Sequence, residues 1–240
     1  MKIVLAEAYS NMAEAITSFP SRMRQGEGEV VYDGRNRVVK FLCDGHHLMV
    51  KRYKRVNLIQ QVVYTFFRKT KAERAFLFAR EFEKRGIDTP ESVAYMEERR
   101  MGLFSVGYFV SREVPGTETS LLLREVKDYA PDLAEAVARQ VVLMHSKGVL
   151  HGDLNLSNFL CTQQQDSYHF SMIDINRSKF CEGWPSDEAC LKNLVRITHR
   201  RDLYVDIISR YATLRGWDVS DTVRKAVALL DRFEQKRFRF

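Results

Sequence analysis

Much that would make this sequence easy to classify is missing. It has four cysteines in 240 residues. Cys43, Cys161, Cys181 and Cys190 form no C-x-x-C pair, so zinc-binding spacing is absent. A chain this long does not depend on a disulfide framework, and the cysteine pattern reads as that of a reducing cytoplasm. No apolar run approaches the ~20 residues that span a bilayer. Met1 to Leu5 is too short for the apolar part of a signal peptide, and Glu7 follows it. The chain is expected to be soluble or peripheral. Internal repeats and low-complexity segments are absent. No Walker A sequence is present, which disfavours the P-loop fold. Acidic residues are in deficit: the net charge is +7. That excess suits an anionic partner, whether nucleotide, nucleic acid or anionic membrane surface. A nucleic-acid-binding module is disfavoured, because no recognition motif is found. The 45% hydrophobic content is ordinary for a globular protein.

Against these absences stands one run, Val149-Leu150-His151-Gly152-Asp153-Leu154-Asn155-Leu156-Ser157-Asn158-Phe159-Leu160. A carboxylate, Asp153, precedes a carboxamide, Asn158, by five residues, with apolar residues on both sides. A second carboxylate follows in the apolar run Met172-Ile173-Asp174-Ile175. Asp153 and Asn158 could each cap a turn, but that explains one residue at a time and not the ordered set. The set resembles the catalytic loop of protein kinases. There an Asp orients the attacking hydroxyl, an Asn holds magnesium and a later Asp is the second metal ligand. More closely, His151-Gly152-Asp153-Leu154 with Asn158, and Ile173-Asp174 in place of D-F-G, resemble the kinases of the bacterial lipopolysaccharide core. These are the Kdo and heptose kinases of the Kdo/WaaP type. The resemblance covers nearly the whole chain, although only the second half carries sharp motifs.

The resemblance implies an α+β, two-lobed protein-kinase-like fold. Residues 1–112 would form a small antiparallel-sheet N-lobe with one main helix, binding nucleotide phosphates. Residues 113–240 would form a mainly helical C-lobe with the catalytic loop, metal ligands and acceptor site. At this length no further domain is expected within these residues.

Local patterns agree with this division. Residues Tyr9 to Phe19 read as a short helix stopping before Pro20. Glu29–Tyr32, Val38–Leu42 and Leu48–Lys51 read as strands joined by turns at Asp33-Gly34-Arg35-Asn36 and Asp44-Gly45. The first turn stands where a glycine-rich phosphate loop would be, yet only Gly34 is there, beside Arg35. Glycine lets backbone N–H groups approach phosphates closely, so this loop would manage with fewer such groups and arginine help. Lys51 ends the third strand, at the place of the kinase lysine that contacts ATP phosphates. Strand alternation puts Lys51 and Tyr53 on one face, and Arg52 and Lys54 on the other.

Lys71 to Arg85 reads as a helix with Ala72, Ala75, Phe76, Ala79 and Phe82 on one face, ended by Gly86. The kinase helix Glu falls on Ala75. Glu73 and Glu83 are the nearest substitutes, but two residues turn a helix by roughly 200°, so Glu73 points away from Ala75. Val93–Tyr95 and Ser105–Val110 read as strands, with Glu97 to Arg100 as a charged, exposed loop between them. Ser111 to Gly116 reads as a hinge. A helix is expected from Ala130 to Ser146, with His145 a packed residue near its end. His151 is expected to orient the loop by hydrogen bonding. Gln163 to Tyr168 reads as a polar hairpin tip. Arg177 is a candidate for steadying phosphate or the catalytic carboxylate. Two or three helices are expected over Asp187–Arg215 and Val219–Phe233, and the ending Lys236 to Phe240 is basic and aromatic.

The resemblance therefore implies a phosphotransferase acting on an alcohol group, with ATP and Mg2+ as cofactors. Asp153 would be catalytic, Asn158 and Asp174 metal ligands, and Lys51 an ATP ligand with Gly34, Arg35 and Glu73 as further candidates. The implied acceptor is a sugar hydroxyl of the lipopolysaccharide inner core, Kdo or heptose, carried on an anionic glycolipid. Localisation would be cytoplasmic or peripheral at the inner membrane, by way of basic clusters at Lys51–Arg55, Arg68–Lys71 and His199–Arg201. No nucleic acid partner is expected. Two alternatives stay open: a kinase of proteins or small soluble molecules, and a pseudokinase that binds without turnover.

Overall fold

The computed structural model describes residues 1–165 and 167–237. Asp166 of the expected polar tip and Phe238 to Phe240 of the basic ending lie outside the described residues. The chain divides into two compact units, Met1–Lys84 with Thr89–Val114, and Arg85–Asp88 with everything from Pro115 on.

The first unit contains β1 (Lys2–Leu5), α1 (Ala13–Gln25), β2 (Glu29–Asp33), β3 (Arg37–Cys43) and β4 (His46–Arg52). It continues with α2 (Leu58–Phe66), α3 (Lys71–Lys84), β5 (Ser92–Arg100) and β6 (Leu103–Arg112). Its six strands form one antiparallel sheet in the order β1-β5-β6-β4-β3-β2. Period-two alternation turns Val39 and Phe41 of β3, and Leu48 and Val50 of β4, to one face. There they pack with Ile16, Phe19 and Met23 of α1. Phe19 stacks on Phe41 with ring centroids 4.6 Å apart.

That packing overturns one expectation. The first helix does not stop before Pro20 but runs through it to Gln25. An interior proline costs about 3 kcal/mol in helix terms. Ile16 and Phe19 before it and Met23 after it are all buried, and each such side chain contributes roughly 1.5–3 kcal/mol. Tertiary burial therefore outweighs the local break.

The expected loop at Glu97–Arg100 is also corrected. These residues are the end of β5, paired with Leu103–Gly107 of β6. The turn is only Met101-Gly102, both at positive φ (50° and 80°), as a tight two-residue hairpin requires. Glu97 is buried and accepts a hydrogen bond from Thr70 Oγ1 at 2.7 Å. The segment looks like a loop in the sequence because the partners of its two carboxylates, Thr70 and Lys2 for Glu97 and Arg24 for Glu98, are distant along the chain.

β1 and α2 carry no expectation from the sequence. β1 is an edge strand on β5. α2 starts at Asn57, whose Oδ1 accepts the Gln60 N–H at 2.9 Å, an ordinary N-cap.

The second unit contains β7 (Thr117–Glu118), α4 (Thr119–Leu123), α5 (Pro131–Ser146), β8 (Val149–Leu150), β9 (Phe159–Gln164) and β10 (Ser167–Met172). It ends with β11 (Lys179–Phe180), α6 (Asp187–Leu194), α7 (Arg201–Arg215) and α8 (Val219–Arg237). Pro131 opens α5 at the first helical position, where its missing N–H costs nothing. α5 packs on α7, and α7 on α8. Leu133, Val137, Val141 and Met144 of α5 are buried, as are Leu203, Tyr204, Ile207, Ile208 and Tyr211 of α7. Two small sheets sit in this unit, β10-β9-β7 and β11-β8. They set the site. β8 pairs with β11 through Leu150–Lys179, and β9 pairs with β10 through Phe159–Met172.

Candidate active site

The loop His151–Asn158 leaves β8 and returns into β9. The segment Ile173–Ser178 leaves β10 and returns into β11. The two loops are thus held side by side by the strand pairs at both ends. The pairing continues past the strands, where Ile173 N–H donates to Asn158 O at 3.0 Å. Asp174, the next residue, therefore stands beside Asn158 although sixteen positions separate them.

His151 ties the loops a second time. It is fully buried. Its Nδ1 accepts the Asp153 N–H at 3.1 Å, and its Nε2 bonds the Ile173 carbonyl at 3.0 Å. Only the neutral tautomer with hydrogen on Nε2 satisfies both partners. Burial also pushes the imidazole below its ordinary range, which keeps it neutral.

Gly152 explains why this loop reads H-G-D. A Cβ there would lie 2.1 Å from the Arg177 carbonyl oxygen. Only a residue without a side chain lets the loops approach so closely.

The three chemical side chains are each held differently. Asn158 Nδ2 donates to the Asp153 carbonyl at 2.7 Å. With its nitrogen engaged, the amide presents oxygen as its remaining polar atom. Asp174 sits in the left-handed region (φ 56°, ψ 38°), where Asp and Asn are the favoured non-glycine residues. Asn176 Nδ2 steadies its carboxylate at 2.7 Å. Asp153 keeps part of its carboxylate exposed and meets two guanidiniums. Arg196 Nη1 is 3.0 Å from Oδ1, and Arg177 Nη1 is 3.9 Å from Oδ2.

Arg196 lies outside every motif in the sequence. It is placed because Leu156 N–H donates to Ile197 O at 3.1 Å, pinning its segment to the loop. Its guanidinium also lies over Phe233 of α8, 5.1 Å from the ring centroid.

Behind the loop runs a directed chain of hydrogen bonds. Arg215 Nη1 donates to Tyr211 Oη at 2.8 Å, so that hydroxyl donates to His145 Nδ1 at 2.8 Å. His145 Nε2 then donates to Asn193 Oδ1 at 3.1 Å. Asn193 Nδ2 donates to the His151 carbonyl at 2.6 Å. Each of these linked side chains, from Arg215 to Asn193, is hydrogen-bonded to the next, which is what low-dielectric surroundings demand. His145 is fully buried, and burial pushes it down to about 4. Asn193, Tyr211 and Arg215 escaped the sequence reading because ordinary helical positions carry no signal of their own.

The oxygen donors at Asn158 and Asp174 are hard, and they suit Mg2+, which takes one or two protein ligands and fills its shell with water and phosphate oxygens. Among the described residues no group of three or more His, Cys, Asp or Glu gathers.

The remaining candidates belong to the first unit. Lys51 lies on β4 opposite Val38 and Phe109, with its ammonium 5.6 Å from the Tyr53 ring centroid. Gly34 N–H donates to Asn36 O at 3.1 Å, and Asn36 Oδ1 accepts the Lys54 N–H at 3.2 Å. The turn bearing the exposed Arg35 is thereby fastened to the end of β4. Glu73 N–H donates to Thr70 Oγ1 at 3.1 Å, so Thr70 caps α3. The Glu73 carboxylate helps hold Lys2 charged, after Tyr95 and Glu97. Ala75 is buried. The third basic cluster is satisfied internally. His199 and Arg201 pair with Glu234, and Arg200 binds Asp202 and the carbonyls of Leu123, Val126 and Lys127.

Comparison with known proteins adds identity to this geometry. The sequence model of the lipopolysaccharide kinase (Kdo/WaaP) family matches residues 21–207. The 3-deoxy-D-manno-octulosonic acid kinase of Vibrio cholerae is 23% identical over 152 residues, covering 61% of this chain and 63% of that protein. The same kinase of Vibrio vulnificus is 23% identical over 145 residues, covering 58% and 60%. The chain thus spans less than two thirds of the length of these curated relatives. A solved structure of WaaP in complex with acyl carrier protein superposes with a TM-score of 0.63 at 20% identity, covering 98% of both chains. That likeness is one of fold: protein-kinase-like, antiparallel sheet in the N-terminal part and helices in the C-terminal part. With more than half of its length matched, the chain belongs to the lipopolysaccharide kinase (Kdo/WaaP) family.

Proposed function

We propose that the chain is an ATP-dependent kinase that phosphorylates a sugar hydroxyl of the lipopolysaccharide inner core. The observation that carries this reading is the double tie of Asp153 and Asn158 to Ile173-Asp174, through His151 and through the Asn158–Ile173 backbone bond. One catalytic carboxylate and two oxygen ligands are thereby held as one rigid set. Catalysis of phosphoryl transfer is largely positioning and charge neutralisation. Asp153 orients the acceptor hydroxyl and receives its proton late, so its pairing with Arg196 is no obstacle. Asn158 and Asp174 would hold Mg2+, which neutralises charge on the transferred phosphate when bound. Lys51 is assigned to the ATP phosphates, with Gly34 and Arg35 as further contacts; Glu73, whose N–H is capped by Thr70 and whose carboxylate acts on Lys2, is the weakest of the assigned residues. Family membership supports a lipopolysaccharide acceptor, and the curated relatives support Kdo over heptose. An acceptor of that kind is an anionic glycolipid, and the cytoplasmic face of the inner membrane is the location that suits it.

The test is transfer of labelled γ-phosphate from ATP to purified core precursors ending in Kdo or in heptose, with and without Mg2+. Labelling of the Kdo-ended precursor is expected. Labelling of the heptose-ended precursor alone would correct the sugar. ATP turnover with labelling of neither would discard the glycolipid acceptor and leave a protein or small soluble molecule in its place. No turnover at all would leave a binding module.

A further inference from the structure

α2 is built inside out. At about 100° per residue, Leu58, Ile59, Val62 and Phe66 fall within one arc of about 100°. In a helix of a soluble protein that stripe faces the core. Here it faces solvent: Leu58 is 73% exposed, Ile59 77%, Val62 41% and Phe66 68%, and Phe67 just beyond the helix is 79% exposed. The face turned to the protein is the more polar one. Gln61 is buried and its Nε2 donates to Val56 O at 3.2 Å. Thr65 Oγ1 donates to Gln61 O at 2.6 Å and accepts the Phe104 N–H at 2.9 Å. Tyr64 meets Phe104 edge-on, with ring centroids 5.7 Å apart. The helix is therefore anchored by its polar side, which leaves its apolar side outward by construction.

The charge around it is equally one-sided. Residues 45–72 contain no Asp or Glu and seven Lys or Arg. That number equals the net charge of the whole chain, +7, so the remainder is balanced. Lys54 and Arg55 precede the helix, Arg68 and Lys69 follow it, and all four are exposed. Among the described residues none of the four has a carboxylate partner.

We infer that α2 and its basic flanks are the surface by which this protein docks on an anionic lipid bilayer. An apolar stripe carrying Phe, Leu and Ile with cations at both ends matches an interfacial helix, whose apolar face enters the headgroup boundary by ~5–10 Å. Each flanking Lys or Arg adds attraction to anionic lipid. A second copy of the chain is a poor occupant, because it would bring the same four unpaired cations against these. The inference deepens the proposed function and rests on it for its purpose, a glycolipid acceptor held in the membrane, but its test does not depend on activity.

The full chain is sedimented with vesicles of phosphatidylcholine alone and of phosphatidylcholine with phosphatidylglycerol, across a salt series. Binding is expected only to the anionic vesicles and is expected to weaken with salt. The double variant Ile59→Glu, Phe66→Glu should lower the apparent partition by at least about tenfold. Neutralising Arg55, Arg68 or Lys69 to Gln should lower it about fivefold each. Phe66→Trp should show a blue-shifted emission increment with anionic vesicles only. Because these side chains are exposed, the variants should melt as the wild type does. Unchanged sedimentation of the double variant, or no binding by the wild type, would overturn the inference. So would a concentration-dependent dimer in light scattering that the double variant abolishes. Vesicle binding through α2 together with no phosphate on any glycolipid would keep the docking surface and discard the acceptor.

Discussion

Asp153 stands between two guanidiniums, and the role proposed for it differs from that proposed for Asp174 on the neighbouring loop. Removing its charge should leave nucleotide binding alone, because its partners in the structure are Arg196 and Arg177 and its proposed partner is the acceptor hydroxyl. Asp153→Asn is expected to lower kcat by about two to four orders of magnitude with ATP affinity unchanged. Single-turnover transfer beside nucleotide titration checks this, and a variant with wild-type turnover would remove Asp153 from the chemistry. Asp174→Asn should behave in the opposite way. Asn tolerates the left-handed backbone that this position requires, so the fold should survive while the proposed metal ligand loses its charge. Mg-dependent ATP binding is expected to weaken, and equal magnesium dependence in the two proteins would take Asp174 out of the metal site.

At the scale of elements, the site depends on two loops held closer than side chains normally allow. Gly152→Ala puts a Cβ against the Arg177 backbone, and backbone has no rotamer with which to escape. The loops must separate, so the ties of Asp153 and Asn158 to Ile173 lengthen. A stability loss of about 1–3 kcal/mol is expected from the overpacking, with a larger loss of kcat than of ATP affinity. Urea denaturation and steady-state kinetics on the same sample separate the two effects. A variant destabilised but fully active would show that the close approach serves folding only. Pro20 illustrates the opposite balance, in which a local rule yields because buried side chains on both sides of it contribute more than the break costs.

For the molecule as a whole, stability should depend on pH through buried neutral histidines. His145 titrates at about 4 in the folded protein because burial penalises its charged form, against about 6.5 when unfolded. Above the unfolded value both states are neutral there, and the full stability is present. As pH falls below 6.5, the unfolded chain takes up a proton that the folded protein refuses. Stability is therefore lost on acidification, by about 2 kcal/mol from His145 between pH 6.5 and 5. His151, lowered by the same cause, adds in the same direction. Denaturant titrations at pH 7.5 and 5 should show the fall. His145→Gln should be less stable at pH 7.5 yet flatter between the two pH values. An unchanged slope would acquit His145.

How much of this was legible in the sequence follows from the range of the interactions. The Asp153–Asn158 spacing, the Ile173-Asp174 pair, the hairpin turns and the apolar faces of α3 and α5 are written in neighbouring residues, because periodicity and turn chemistry are local. So is the family resemblance, which rests on those same motifs. What the sequence could not display is which distant groups meet. The run through Pro20, the burial of Glu97, the placing of Arg196 on Asp153 and the chain from Arg215 to His151 each pair residues far apart along the chain. α2 shows this most plainly: its stripe of Leu58, Ile59, Val62 and Phe66 has the period of a core-facing helix. Only the tertiary structure decided that the stripe faces outward, because Gln61 and Thr65 find their hydrogen-bond partners on the inner side and the apolar residues are left to the solvent.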